Sequence, residues 1–299
     1  MHLEGVYSVL PTPFTASGDL DLASLRQVID LFIEAGVNGV TALGVTGEVA
    51  RLTDDERRQV LEAVVEHVRG RIGVVVGSTA EGTRTCITYT RQAKNAGATA
   101  VMVSPPRMPK LNSDAVVAHF TALAEAVDVD IVVQDYPPIS GFAMEPALLA
   151  RIAREVPRAK TIKLEDPPTP LKTTRILQAC GDMSVRIFGG LGGVFLLEEL
   201  MAGATGAMTG FAFPEVLVNI IALYRSGNVD EAAELFYKAV PLMRFEFQEG
   251  IGMAIRKEVL RRRGAIASSA TRAPGAALDA TTRAALDRVM KYTEQYIRP

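Results

Sequence analysis

Along most of this chain, short apolar runs alternate with longer segments whose apolar residues recur every three or four positions. Residues 6–10 form the first run. Leu22, Leu25, Val28, Ile29, Phe32 and Ile33 then recur at helical spacing, and Gly36 closes that segment before a second run at 37–43. Thr53 and Glu56 frame a capping box, in which hydroxyl and carboxylate satisfy free amides at a helix start. Further strands are expected at 72–76, 100–103, 131–134, 161–164, 185–188 and 206–209, with helices at 84–95, 113–126, 146–155, 171–179 and 194–201 between them. The strand candidates are apolar on both faces, as parallel strands covered by helices are.

A weak repeat supports the pattern. Ala35-Gly36, Ala96-Gly97 and Ala202-Gly203 each close a helix just before a strand, where glycine takes the left-handed conformation. Strand–helix alternation repeated about eight times predicts an α/β fold, a (β/α)8 TIM barrel. A doubly wound open sheet fits less well. Its dinucleotide fingerprint should follow the first strand, where Pro11, Thr12, Pro13 and Phe14 stand instead. Beyond Pro214 strands cease, and helices are expected at 215–224, 229–248, 253–263 and 281–296. The chain thus divides into a barrel over 1–225 and a C-terminal helical extension over 226–299. The extension shows no evident chemistry and is expected to serve assembly or to close the barrel's side.

Composition narrows the class. With 299 residues, 48% of them hydrophobic, the chain can bury a sizeable core. A net charge of −2 with both signs scattered argues against nucleic acid or an anionic membrane as partner. No apolar stretch of about 18 residues predicts a membrane span. Cys86 and Cys180 lack the pairing of a disulfide framework or a zinc site and read as reduced thiols. His2, His67 and His119 are too scattered for a metal centre. The N-terminus shows no signal-peptide pattern, so a cytoplasmic protein is expected.

In a barrel of this kind, chemistry sits at the C-terminal strand ends and the loops after them. Lys163 stands out there, as a cation inside the apolar run Thr161-Ile-Lys-Leu164. Alternation puts Lys163 and Glu165 on one face and Ile162 and Leu164 on the other, which points the amine into the barrel mouth. Desolvation favours a neutral amine, and a neutral amine attacks a ketone to form a Schiff base. The alternative is an ammonium snorkelling to the rim beside Glu165. In the loop Gly44-Val-Thr-Gly-Glu48, Gly44 and Gly47 let backbone amides approach an anion, and Thr46 adds a hydroxyl. The same loop also reads as a tight turn into the next helix. The run Gly189-Gly-Leu-Gly-Gly193 suits phosphate or close packing, with packing favoured. Tyr136 reads as a proton relay or a packed loop aromatic, Arg107 as a carboxylate partner or a surface residue, and His119 as a helix-face residue.

Taken together, these motifs resemble the dihydrodipicolinate synthase and N-acetylneuraminate lyase family of Schiff-base lyases, over nearly the whole chain. Leu10-Pro-Thr-Pro-Phe14 resembles the family's opening strand end. Gly44–Glu48 with Leu52-Thr-Asp-Asp-Glu-Arg57 resembles its Gly-Thr-Thr-Gly-Glu loop and the helix start that follows. Val103-Ser-Pro-Pro106, Ile162-Lys163 and Gly203-Ala-Thr-Gly206 resemble further strand ends and entries. The resemblance implies that Lys163 forms an imine with pyruvate or a 2-oxo acid containing it. It further implies that Val45 and Thr46 hold the carboxylate, that Gly189 and Met208 line the pocket, and that the protein is a homotetramer, a dimer of dimers. No metal or organic cofactor is expected, because the protonated imine itself draws the electrons.

The departures from the family pattern steer the reading. One of the synthases' two adjacent loop threonines is Val45 here. Their strand-5 tyrosine aligns with Gln134, with Tyr136 two residues on. Arg107 is the nearest match to their strand-4 loop tyrosine, Ile139 to their aldehyde-binding arginine, and Val49 and Glu81 stand in the lysine-feedback positions. Gln134-Asp135 and Lys163-x-Glu165 look more like the family's 2-keto-3-deoxy sugar-acid dehydratases. The expected function is therefore dehydration or aldol cleavage of a 2-keto-3-deoxy acid. Lys163 would form the imine, and Gln134, Tyr136 or Glu165 would handle protons. A synthase joining pyruvate to aspartate semialdehyde, and an inactive 2-oxo-acid-binding protein, are the rivals.

Overall fold

The computed structural model describes residues 3–297, so His2 and the outermost ends of the two expected segments lie outside the described residues. Eight parallel strands close on themselves in sequence order, β1 (Gly5–Val9), β2 (Gly39–Ala42), β3 (Gly73–Gly77), β4 (Ala100–Val103), β5 (Asp130–Asp135), β6 (Thr161–Leu164), β7 (Arg186–Gly189) and β8 (Gly206–Thr209). Strand β8 pairs with β1 to complete the barrel. The outer layer and the segment beyond it hold α1 (Leu22–Glu34), α2 (Asp54–Val68), α3 (Thr83–Ala96), α4 (Ser113–Ala126), α5 (Pro137–Ser140), α6 (Pro146–Glu155), α7 (Thr169–Cys180), α8 (Leu196–Met201) and α9 (Pro214–Arg225). They are followed by α10 (Val229–Glu246), α11 (Gly252–Arg262) and α12 (Ala280–Ile297).

Local chemistry sets these limits. The capping box forms as the sequence predicts: Thr53 accepts from the Glu56 amide, and the Glu56 carboxylate accepts from the Thr53 amide. Gly36, Gly97 and Gly203 all have positive φ beyond their helices. Strand β2 is shorter than the run 37–43, because Leu43 turns to φ 54° and starts the following loop. Helix α8 begins later than residue 194, because Gly192 and Gly193 both have positive φ.

Alternation along the strands separates two apolar layers. Val40, Val74, Val101, Ile131, Ile162 and Ile187 pack outward under the helices. Tyr7, Val9, Val75, Met102, Val132, Phe188 and Met208 fill the barrel interior. Tyr7 takes the space where side chains on Gly39 and Gly73 would stand, and it meets Phe188 edge-on with ring centroids 5.5 Å apart. Filled below, the barrel leaves its polar inward positions at the C-terminal strand ends.

Candidate active site

Lys163 lies on β6 in register with Gln134 on β5 and Phe188 on β7. It is 5% exposed. Its Nζ stands 3.1 Å from Glu165 Oε2. That same oxygen accepts a 2.7 Å hydrogen bond from Gln134 Nε2, and Gln134 Oε1 accepts one of 3.1 Å from Ser104 Oγ. Because the carboxylate can only accept, it orients the Gln134 amide group. Side chains of β5 and β6 and of the first residues after β4 and β6 thus form one chain ending on the amine. The Glu165 side chain lies against Gly190, where a Cβ would stand 2.3 Å from its Cγ. Tyr136, half-buried just after β5, has its phenol pushed up first by burial and then by the charges of Glu165 and Glu249. The structure therefore brings Lys163, Gln134 and Glu165 together at the mouth, with Tyr136 near enough for the Glu165 charge to act on its phenol.

Residues Val45–Gly47 form a single 3-10 turn after β2. The Thr46 hydroxyl is buried and has no protein partner. Gly44 enters the turn extended, and Val45 is more than a third exposed. Gly47 is occupied within the turn: its N–H donates to Gly44 O and its carbonyl accepts from Thr12 Oγ1. That leaves Gly47 as turn structure, not as part of a ligand surface. Glu48 is buried in the left-handed conformation. Its carboxylate accepts from the Arg272 amide and Arg51 Nη1 at 3.0 and 2.6 Å, and it pairs with Lys257 Nζ. Lys257 and Arg272 belong to the extension, and both stand 4.3 Å from the centre of the Phe14 ring. The extension is therefore bound into the loop that carries Thr46, a role its sequence did not disclose.

Gly189, Met208, Arg107 and His119 take four different settings. Gly189 turns its missing side chain towards the helices, where a Cβ would meet Glu199 Oε2 at 1.7 Å, so it makes room for Glu199 and offers no side-chain lining. Met208 is fully buried in the interior layer. Arg107 is exposed on the loop after β4, beside a cavity of about 500 Å3 that runs from Gln134 and Ser104 past Val45 to Arg57 and Tyr89. His119 is buried on α4, 2.9 Å from Thr83 Oγ1.

Sequence reasoning missed a second carboxylate set. Lys172 Nζ donates to Asp135 and Asp166, each at 2.6 Å, on the helix side of β5 and β6. Burial still pushes Asp135 up to about 6. Glu199 accepts from Thr169 Oγ1 at 2.6 Å, yet burial pushes it up to about 7. The folded state therefore holds a proton on Glu199 that the unfolded chain, near an ordinary 4.5, releases. The stability that Glu199 contributes should fall as pH rises from about 4.5 to 7. Between pH 5.5 and 8, thermal unfolding of Glu199→Gln should shift less than that of the parent, by the equivalent of about 2 kcal/mol. Equal shifts would show that Glu199 is ionised throughout.

No helix among the described residues is long and apolar enough to cross a membrane. The pattern of the dihydrodipicolinate synthetase family matches residues 2–293, and the chain belongs to that family, as a lyase. It is 34% identical over 288 residues to L-2-keto-3-deoxyarabonate dehydratase of Azospirillum brasilense, covering 94% of this chain and 92% of that one. It is 31% identical over 290 residues to 4-hydroxy-tetrahydrodipicolinate synthase of Methanosphaerula palustris, covering 96% and 98%. The crystal structure of dihydrodipicolinate synthase from Rhodopseudomonas palustris superposes with a TM-score of 0.91 at 36% identity, covering 97% of each chain.

Proposed function

We propose that the protein dehydrates a 2-keto-3-deoxy sugar acid through an imine on Lys163. The observation that carries this reading is the buried Lys163 amine, tied through Glu165 to Gln134 at the barrel mouth. The amine adds to the C2 ketone and water leaves, giving a protonated imine. That imine acidifies C3, and a base takes the C3 proton. The resulting enamine expels the C4 hydroxyl, which departs as water with a proton from an acid at the mouth, and hydrolysis of the remaining imine returns the Lys163 amine and frees the dehydrated 2-oxo acid. Glu165 and Tyr136 make those transfers, and Gln134 holds the Glu165 carboxylate through its hydrogen bond. Thr46 and the backbone of Gly44 and Val45 receive the carboxylate.

The Azospirillum relative, named a keto-deoxy-sugar-acid dehydratase, supports this choice, as does Gln134 in place of the synthases' tyrosine. The synthase relatives support the rival, condensation of pyruvate with aspartate semialdehyde. A homotetramer in the cytoplasm is part of the same proposal. The two activities are separated by direct assay. Dehydration of L-2-keto-3-deoxyarabonate should turn over at about 1–100 s⁻¹, and condensation should run at least about 100-fold slower. The reverse order of rates would establish the synthase.

A further inference from the structure

A cation from the extension stands beside Thr46. Arg256 on α11 is 4% exposed. At Gly210, just beyond β8, a Cβ would stand 2.7 Å from Arg256 Nη1 and 3.3 Å from Thr46 Oγ1. The absent side chain leaves one small space with a guanidinium on one side and a hydroxyl on the other, within about 6 Å of each other. Three buried polar atoms of these side chains make no protein hydrogen bond: Thr46 Oγ1, which borders the space, and Arg256 Nε and Glu246 Oε1. Glu246 Oε2 is 3.6 Å from Arg256 Nε, longer than a hydrogen bond, and it accepts instead from the Ala212 amide at 3.0 Å. A buried ion pair made purely for structure tends to satisfy its donors and acceptors, because each unmade bond costs free energy. This pair leaves Arg256 Nε and Glu246 Oε1 without a hydrogen bond, and the Nη1 end of the same guanidinium faces the space shared with Thr46.

We infer that Arg256 makes the Thr46 pocket selective for a carboxylate. It is a positioning residue: its buried charge acts on the anion through the Thr46 hydroxyl and across a medium that screens it weakly. Glu246 balances the charge while the pocket is free. The extension thereby sets the ligand preference of a site whose other groups belong to the barrel.

The inference rests on Lys163 as the imine-forming amine, and the test separates the two. Pyruvate and methyl pyruvate present the same ketone with and without a negative charge. Borohydride trapping at graded concentrations of each gives a half-saturation value for the full chain and its variants. Arg256→Met should raise that value about tenfold for pyruvate and leave it within about twofold for methyl pyruvate. Arg256→Lys, which keeps the charge, should recover most of the loss. Equal weakening for both ligands, or none, overturns the inference. Should Arg256→Met fail to fold, Glu246→Gln decides instead: it should tighten pyruvate about threefold and leave methyl pyruvate unchanged, and any other result counts against the inference. The stabilisation of the protein by pyruvate on heating is followed in parallel. A pyruvate-specific thermal shift that depends on Arg256, in a parent protein that traps no adduct, would remove the imine reading and keep this one.

Discussion

Replacing Lys163 with Ala should abolish the adduct that borohydride fixes between the protein and pyruvate, and should lower turnover by about 10⁴-fold or more. The size follows from the absence of a substitute among the neighbouring amines. Lys172 is held by two carboxylates at 2.6 Å on the helix side of the sheet. Lys257 is fully buried against Glu48 and the Ala270 carbonyl. Neither amine can replace Lys163 without breaking a buried ion pair. Lys163→Arg keeps a cation beside Glu165 but presents a guanidinium that stays protonated and forms no imine. Both variants should therefore fold and both should be silent in trapping, read by intact-protein mass. An adduct of unchanged mass and yield in Lys163→Ala would move the chemistry to another residue.

Lys163 was legible because a cation inside an apolar strand is unusual, and the period of two fixes which way it faces. The barrel was legible for a similar reason, since alternating apolar runs and helical periods can be counted along the chain. Glu199, Glu246, Arg256 and Lys257 were not. Each sits in a helix with charged neighbours in sequence, where a charge ordinarily marks the solvent face. Their burial depends on partners remote along the chain: the Glu48 carboxylate meets an amide 224 residues away. The glycines show the same limit. Gly189 and Gly190 announced a close approach, but only the fold says that Glu199 fills one space and Glu165 the other. Ser104 was the omission that sequence allowed for, since it directly follows β4, where the barrel's chemistry is expected.

The ties between Glu48 and the extension allow a sharper separation of stability from function. Lys257→Met leaves the Glu48 carboxylate buried without its ammonium, at a cost of about 3–5 kcal/mol. In a chain of this length that corresponds to a fall in Tm of about 5–8 °C. The Arg272 amide and Arg51 still reach the carboxylate, which favours the lower end of that range. Pairing Lys257→Met with Glu48→Leu removes both charges and should recover most of the stability, because hydrophobic groups often replace a buried ion pair at little cost. Substrate affinity should not recover with it. Glu48 directly follows the turn that holds Thr46, in a left-handed conformation that the pair helps to hold. A leucine there is strained and has no fixed polar partner. The double variant should therefore melt close to the parent and still trap pyruvate several-fold more weakly. Parental stability together with parental trapping would show that the clamp only joins the extension to the barrel. Recovered stability with weakened trapping would show that it also holds Thr46 in place.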